Sequence, residues 1–124
     1  MKRWTSSRMP EREVRSWSLA TAREMVSEVR RLTAAAVEAV DALEARRGDL
    51  GPGDDAARVA LEQELARAVA GWVRAMEALG VEVKGRWLVD FDNGRGYYCW
   101  RWPEEQLEYF HGHDEGFAGR VRIQ

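Results

Sequence analysis

RWLVDFDNGRGYYCWRWPEEQLEYFHGHDEGFAGR, residues 86–120, is the stretch on which the reading of this chain turns. Three of the six tryptophans, every tyrosine and phenylalanine, both histidines and the single cysteine fall inside it. Trp87, Val89 and Phe91 alternate with Leu88 and Asp90, the period of a half-buried strand. Asn93-Gly94 follows, and that pair favours a tight hairpin because both residues tolerate positive φ. Residues 97–102 make a second strand, Pro103-Glu104-Glu105 turns the chain, and residues 106–111 make a third. Gly112, Gly116 and Gly119 then break any regular element. The prediction is a three-stranded antiparallel β-meander followed by a Gly-rich C-terminal tail.

Register decides which of these side chains can act together, because directly opposed residues share a face. A two-residue Asn93-Gly94 loop pairs Asp92 with Arg95, so Val89 faces Tyr98 and Trp87 faces Trp100. Matching Trp102 to Leu107 puts Trp100 opposite Tyr109, Arg101 opposite Glu108 and Tyr98 opposite His111. One face then collects Trp87, Val89, Phe91, Tyr98, Trp100, Trp102, Leu107, Tyr109 and His111, and it is the face predicted to meet the rest of the protein. Arg86, Leu88, Asp90, Tyr97, Cys99, Arg101, Glu108 and Phe110 make up the other. In this register Cys99 and His111 point to opposite sides and cannot form a thiol–imidazole dyad. Cys99 reads as a small half-buried hydrophobe rather than a nucleophile.

Upstream the period is helical. Ala22, Met25, Val29, Leu32, Ala36, Ala39 and Leu43 recur at steps of three and four, with Val26, Val37 and Val40 widening the stripe. Ser18 is the candidate N-cap, and Thr21 stands where a capping box would place Glu or Gln. Gly48 ends this helix, and GDLGPG is a turn. A second helix starts at Asp54 or Asp55 and carries Leu61, Leu65, Ala68, Trp72, Met76 and Leu79 on its apolar side, with Gly80 just past its end. The fold class is therefore α+β: a long antiparallel two-helix hairpin over residues 18–80, then the meander and tail over residues 81–124. Residues 1–17 read as a flexible N-terminal extension in which Trp4 and Trp17 are the side chains available to pack onto the single domain 18–124. The stripe at Val37, Val40 and Val69 is wider than one two-helix seam, which predicts a homodimer through the hairpin.

Composition narrows the function classes. With 45% hydrophobic and 32% charged residues in 124, the chain has the make-up of one ordinary soluble domain. A net charge of −2 gives no general attraction to nucleic acid or an anionic membrane, and no apolar run is long enough to span one. One cysteine excludes an intrachain disulfide framework and fits a reducing cytoplasm. The N-terminal residues lack the apolar core of a secretory signal. No phosphate loop, dinucleotide fingerprint, serine elbow or HExxH is present, so no cofactor is called for and enzymatic activity stays open.

The strings SLATAREMVSEVRRL, LGVEVK, GRWLVDF, YYCWRW, EYFH and DEGFAGR, in that order over about residues 17–121, resemble an uncharacterised bacterial family, domain of unknown function 2203. Ala20 and Thr21 replace the usual acidic residues after the N-cap, and Phe110 stands where a tryptophan precedes the histidine. The resemblance implies the α+β layout and marks Cys99, Trp100, His111, Gly116, Phe117, Gly119 and Arg120 as family-type positions. It implies no reaction.

Two chemistries attach to the C-terminal third. In extended backbone His111 and His113 point the same way, as two ligands of a divalent ion would, with Asp114 or Glu115 as a third. The competing reading is a buried His111 bonded to a backbone group and a solvated His113. Gly116-Phe117-Ala118-Gly119-Arg120 offers convergent backbone N–H groups and a guanidinium fork for a small anion. Alternatively Phe117 plugs the core and Arg120 pairs with an acidic residue such as Asp114. Together these give two function classes. The first is a cytoplasmic homo-oligomeric interaction or scaffold protein. The second is a ligand- or metal-binding protein or small enzyme, its site around His111, His113, Asp114 and Arg120.

Overall fold

A computed structural model describes residues 16–124. Two antiparallel helices, α1 (Leu19–Gly48) and α2 (Asp55–Leu79), precede a five-stranded antiparallel sheet. The strands are β1 (Glu82–Gly85), β2 (Leu88–Asp92), β3 (Gly96–Arg101), β4 (Tyr109–Gly112) and β5 (Val121–Arg122), in that spatial order. A single 3₁₀ turn, Phe117–Gly119, leads into β5. The α+β class and the helical hairpin follow the sequence, while the sheet has five strands where three were predicted. Both additional strands are short: β1 has four residues, the least over which alternation can be read, and β5 has two.

The helix ends follow from local chemistry. Ser18 caps α1 by accepting from the Thr21 backbone N–H, and Thr21 Oγ1 accepts from the Ser18 N–H in return. A threonine hydroxyl thus completes the box that Glu or Gln usually closes. Gly80 ends α2 in the left-handed conformation, φ 89°. Just before α1, Trp17 is buried: its backbone N–H donates to the Asp92 carbonyl and its indole to the Gly80 carbonyl. Its ring meets Phe91 edge-on. Trp4 lies outside the described residues.

The sheet covers one end of the hairpin. Val89, Phe91 and Trp100 pack with Leu107 against Ala22, Val26, Val29, Trp72 and Met76, and Tyr98 and Trp102 flank them. Between the helices the one buried polar group, Thr33, accepts a hydrogen bond from the Trp72 indole at 2.8 Å.

The register departs from the prediction in two places, with opposite consequences. In the β2–β3 hairpin the central residues are Gly94-Arg95, not Asn93-Gly94. Gly94 takes φ 90°, and the Asn93 side chain accepts from both the Arg95 and Gly96 N–H groups. Val89 therefore opposes Trp100, and Phe91 opposes Tyr98, a two-residue displacement that keeps every side chain on its predicted face. Trp87 is outside the ladder. It sits in the β1–β2 turn at φ 65°, with its ring against Trp72 instead of opposite Trp100.

The β3–β4 connection moves by one residue, and this reverses β4. Tyr97 opposes His111, and Cys99 opposes Tyr109. Residues 102–108 form a longer connection than a tight turn: the Trp100 indole donates to the Glu104 carbonyl, and the Glu104 side chain accepts from the Arg101 N–H. With Leu107 anchored in the core, pairing resumes only at Tyr109. Gly96 fits this arrangement, because a Cβ there would lie 2.6 Å from the His111 carbonyl oxygen. Tyr109 and His111 therefore face away from the helices, alongside Cys99. The predicted Arg101–Glu108 pair is absent: Glu108 binds Arg122, and Arg101 lies over the Phe117 ring.

Candidate functional site

The reversed β4 assembles a polar cluster that the predicted register kept apart. Asp90 on β2, Cys99 on β3 and His111 on β4 occupy the outer face on three successive strands. They are 1%, 0% and 3% exposed. Cys99 opposes Asp90 directly, and its small side chain lets Asp90 and His111 meet across it. His111 Nε2 lies 3.0 Å from Asp90 Oδ2, and His111 Nδ1 lies 2.9 Å from the Gly112 carbonyl. The carbonyl can only accept, so Nδ1 carries a proton and Nε2 is the nitrogen presented to the cluster. Asp90 Oδ1 is buried with no hydrogen-bond partner among the described residues.

Charged groups surround the cluster in neutral pairs. Lys84 Nζ reaches Glu82 at 3.2 Å and Asp90 Oδ2 at 4.0 Å, and it lies over the Tyr97 ring, whose hydroxyl donates to Glu82. On the other side Arg120 presents its guanidinium to Glu104 and lies 3.9 Å from Cys99 Sγ. Burial pushes the Asp90 carboxyl above the usual carboxylate range, more than neighbouring His111 pulls it down. Burial, reinforced by the Asp90 charge, pushes the Cys99 thiol up to about 12.

These facts decide the thiol question on a different ground from the predicted one. Cys99 and His111 do share a face, correcting the sequence expectation. Still, both imidazole nitrogens are engaged, one by a carbonyl and one by a carboxylate, and burial holds the sulfur as a neutral thiol. Cys99 is not an activated nucleophile. A thiol reagent at neutral pH should therefore modify it only as fast as the sheet opens, slowly in native buffer and completely in urea. Immediate stoichiometric labelling of the native chain would contradict this placement.

The other sequence candidates are distributed around the cluster. His113 is exposed, with Nε2 3.0 Å from Asp92 Oδ1 and its ring edge-on to Tyr97. It is not in the Asp90–Cys99–His111 group. Asp114 is exposed. Arg120 is stacked between Tyr109 and Phe117, 3.9 and 4.1 Å from their ring centroids, and its fork holds Glu104 rather than Asp114. Phe117 is exposed on the outer side, so it does not plug the helix-facing core. Gly116 precedes the 3₁₀ turn that carries it, and Gly119 is that turn's last residue. Asp90, Lys84 and Glu82 are the members that sequence reading passed over. Alternation placed Asp90 on the outer face, but only the true β4 register shows it facing a histidine.

In class, this is a small α+β protein with a buried ionisable cluster on the sheet face remote from its helices. The family model described as uncharacterized conserved protein (DUF2203) matches residues 15–123, and the chain belongs to that family. No curated protein and no solved structure matches it. Among the described residues, no helix is long and apolar enough to cross a membrane.

Proposed function

We propose that this is a ligand-binding protein whose site is the cluster of Asp90, Cys99 and His111. The segment Gly116–Arg120 borders it through the Arg120 contact with Cys99, and His113, paired with Asp92, lies outside it. The observation that supports the reading is the buried Asp90 carboxylate, one oxygen on His111 and the other without a partner. A buried ion pair of this kind is often no more stabilising than apolar residues of the same volume, so packing alone gives little reason for one here. Arg120 offers a second point of attachment, since a small anion could compete with Glu104 for its fork. A buried, free Cys99 accords with a reducing compartment such as the cytoplasm. Native mass spectrometry of the purified protein tests the reading. A co-purifying ion or small molecule should be present in the wild type and lost in Asp90→Asn. A wild-type chain that carries only its own mass, and takes up nothing when offered ions or metabolite mixtures, would overturn it.

An interaction role has its own support. α1 and α2 run about 45 and 38 Å at 1.5 Å per residue, well beyond a sheet whose longest strand covers about 20 Å. At the far end Val59 is 52% exposed, and nearer the middle of the hairpin Val37 and Val69 are only half-buried. A second copy packed antiparallel on this end would cover them as a four-helix bundle. In this reading Trp17, buried in the core, counts with the domain, and residues 1–15 lie outside the described residues. Light scattering should return twice the chain mass at micromolar concentration, and Val59→Glu should halve it. A monomeric wild type removes the dimer and leaves the binding site untouched.

A further inference from the structure

We propose that Asp90, Cys99 and His111 are the three protein ligands of a divalent transition-metal ion of the zinc class. This rests on the ligand-binding reading and names its ligand. One donor atom from each residue lies within 4.8 Å of the other two, and all three residues are buried. A tetrahedral ion with bonds of about 2.0–2.3 Å needs its donors about 3.3–3.8 Å apart, a change that side-chain rotation supplies without moving the strands. The donors are a thiolate sulfur, an imidazole nitrogen and a carboxylate oxygen, the set that zinc and its neighbours take.

The surroundings support the same conclusion. His111 donates Nδ1–H to a backbone carbonyl, the outer contact that metal-bound histidines commonly make, and this leaves Nε2 aimed at the other two donors. Asp90 Oδ1, in a residue 1% exposed, is a polar atom with no hydrogen-bond partner among the described residues. Charge closes as well. A divalent cation with one carboxylate and one thiolate is neutral, and the cations nearby have their own partners, Lys84 with Glu82 and Arg120 with Glu104. Three protein ligands leave one position of a tetrahedral ion for water or a ligand atom, the pattern of reactive rather than purely structural zinc sites.

The test uses the full chain, stripped with a chelator and dialysed, then titrated with Co²⁺ and with Zn²⁺. Co²⁺ should bind one per chain, with thiolate-to-cobalt charge-transfer absorption and the strong visible bands of a tetrahedral ion. Zn²⁺ should displace it. Cys99→Ser should abolish the charge-transfer band, and Asp90→Asn and His111→Gln should each weaken binding by at least about 100-fold, the upper end of what loss of an outer-shell contact costs. His113→Gln should bind as the wild type does. Circular dichroism confirms that each variant is folded, and the wild-type cobalt spectrum tests the proposal even where a variant is not. A folded wild type without the charge-transfer band would overturn the metal assignment, as would binding lost in His113→Gln but kept in His111→Gln. If cobalt fails while native mass spectrometry still shows a small molecule lost in Asp90→Asn, the site binds something other than a metal. If both fail, the ligand-binding reading falls with it.

Discussion

Trp100→Ala will cost about 3–5 kcal/mol, the range for truncating a large aromatic in a closed core. Trp100 is fully buried, 0% exposed, at the centre of the sheet's inner face. It opposes Val89 on β2, lies 6.5 Å from the Trp102 ring, and donates its indole N–H to the Glu104 carbonyl. Truncation opens a cavity beneath both helices and leaves that carbonyl with Arg30 as its remaining donor, so packing and hydrogen bonding weaken together. With an m-value of about 2 kcal/mol/M, the urea midpoint should fall by about 2 M. Val121→Ala, at a site 58% exposed on the short edge strand, should stay within about 0.5 kcal/mol. Similar midpoint shifts for the two would mean that Trp100 is not at the core. Because the Glu104 carbonyl lies in the β3–β4 connection, Trp100→Ala should also loosen the register that brings His111 beside Asp90. Trp100→Phe keeps part of the volume but not the donor, and should fall between the two.

How much of this was legible in the sequence depended on whether a signal was local. The helices were, because Ala22, Val29, Trp72 and Met76 recur on one period and Gly80 supplies the only conformation that stops α2 cleanly. The inner face of β2 and β3 was legible too, since a two-residue displacement preserves parity and Val89, Phe91 and Trp100 stay together whichever turn forms. The candidate cluster was not. It depends on one residue of register in β4, and the connection that sets it is governed by contacts distant from any turn motif. Leu107 enters the core, Arg23 donates to the Leu107 carbonyl, and Arg30 donates to that of Glu104. Composition could not reveal that two arginines of α1 fix the length of a loop eighty residues away. The same long-range control hid β1 and β5, whose few residues are strands because the neighbouring ladder pairs them. For Arg120 the sequence offered a small anion, or Asp114, as the group its fork would hold, and the carboxylate found there is that of Glu104. That partner was hidden by the same misjudged connection.

The second large effect is expected at Asp90 and His111, measured in the presence of chelator so that no ion contributes. The two residues lie on β2 and β4, with β3 between them, so their contact ties together strands that share no ladder hydrogen bonds. His111→Leu removes the nitrogen that lies 3.0 Å from Asp90 Oδ2, and Oδ1 has no hydrogen-bond partner among the described residues. Lys84, 4.0 Å away and already engaged with Glu82, is a weak substitute. Breaking one side of a buried pair leaves an uncompensated charge, and His111→Leu should therefore destabilise by about 3–5 kcal/mol. Asp90→Val should cost less, because it strands no carboxylate and the imidazole keeps its Nδ1–H bond to the Gly112 carbonyl. The double variant Asp90→Val/His111→Leu should recover most of the loss, since apolar residues of similar volume satisfy a buried site without charge. That non-additivity is the measurement that matters, because simple loss of packing would add. If the double variant is as unstable as the sum of the singles, the pair does not act as a unit. If it is more stable than the metal-free wild type, the fold retains Asp90 and His111 at a cost, and their retention belongs to what they bind.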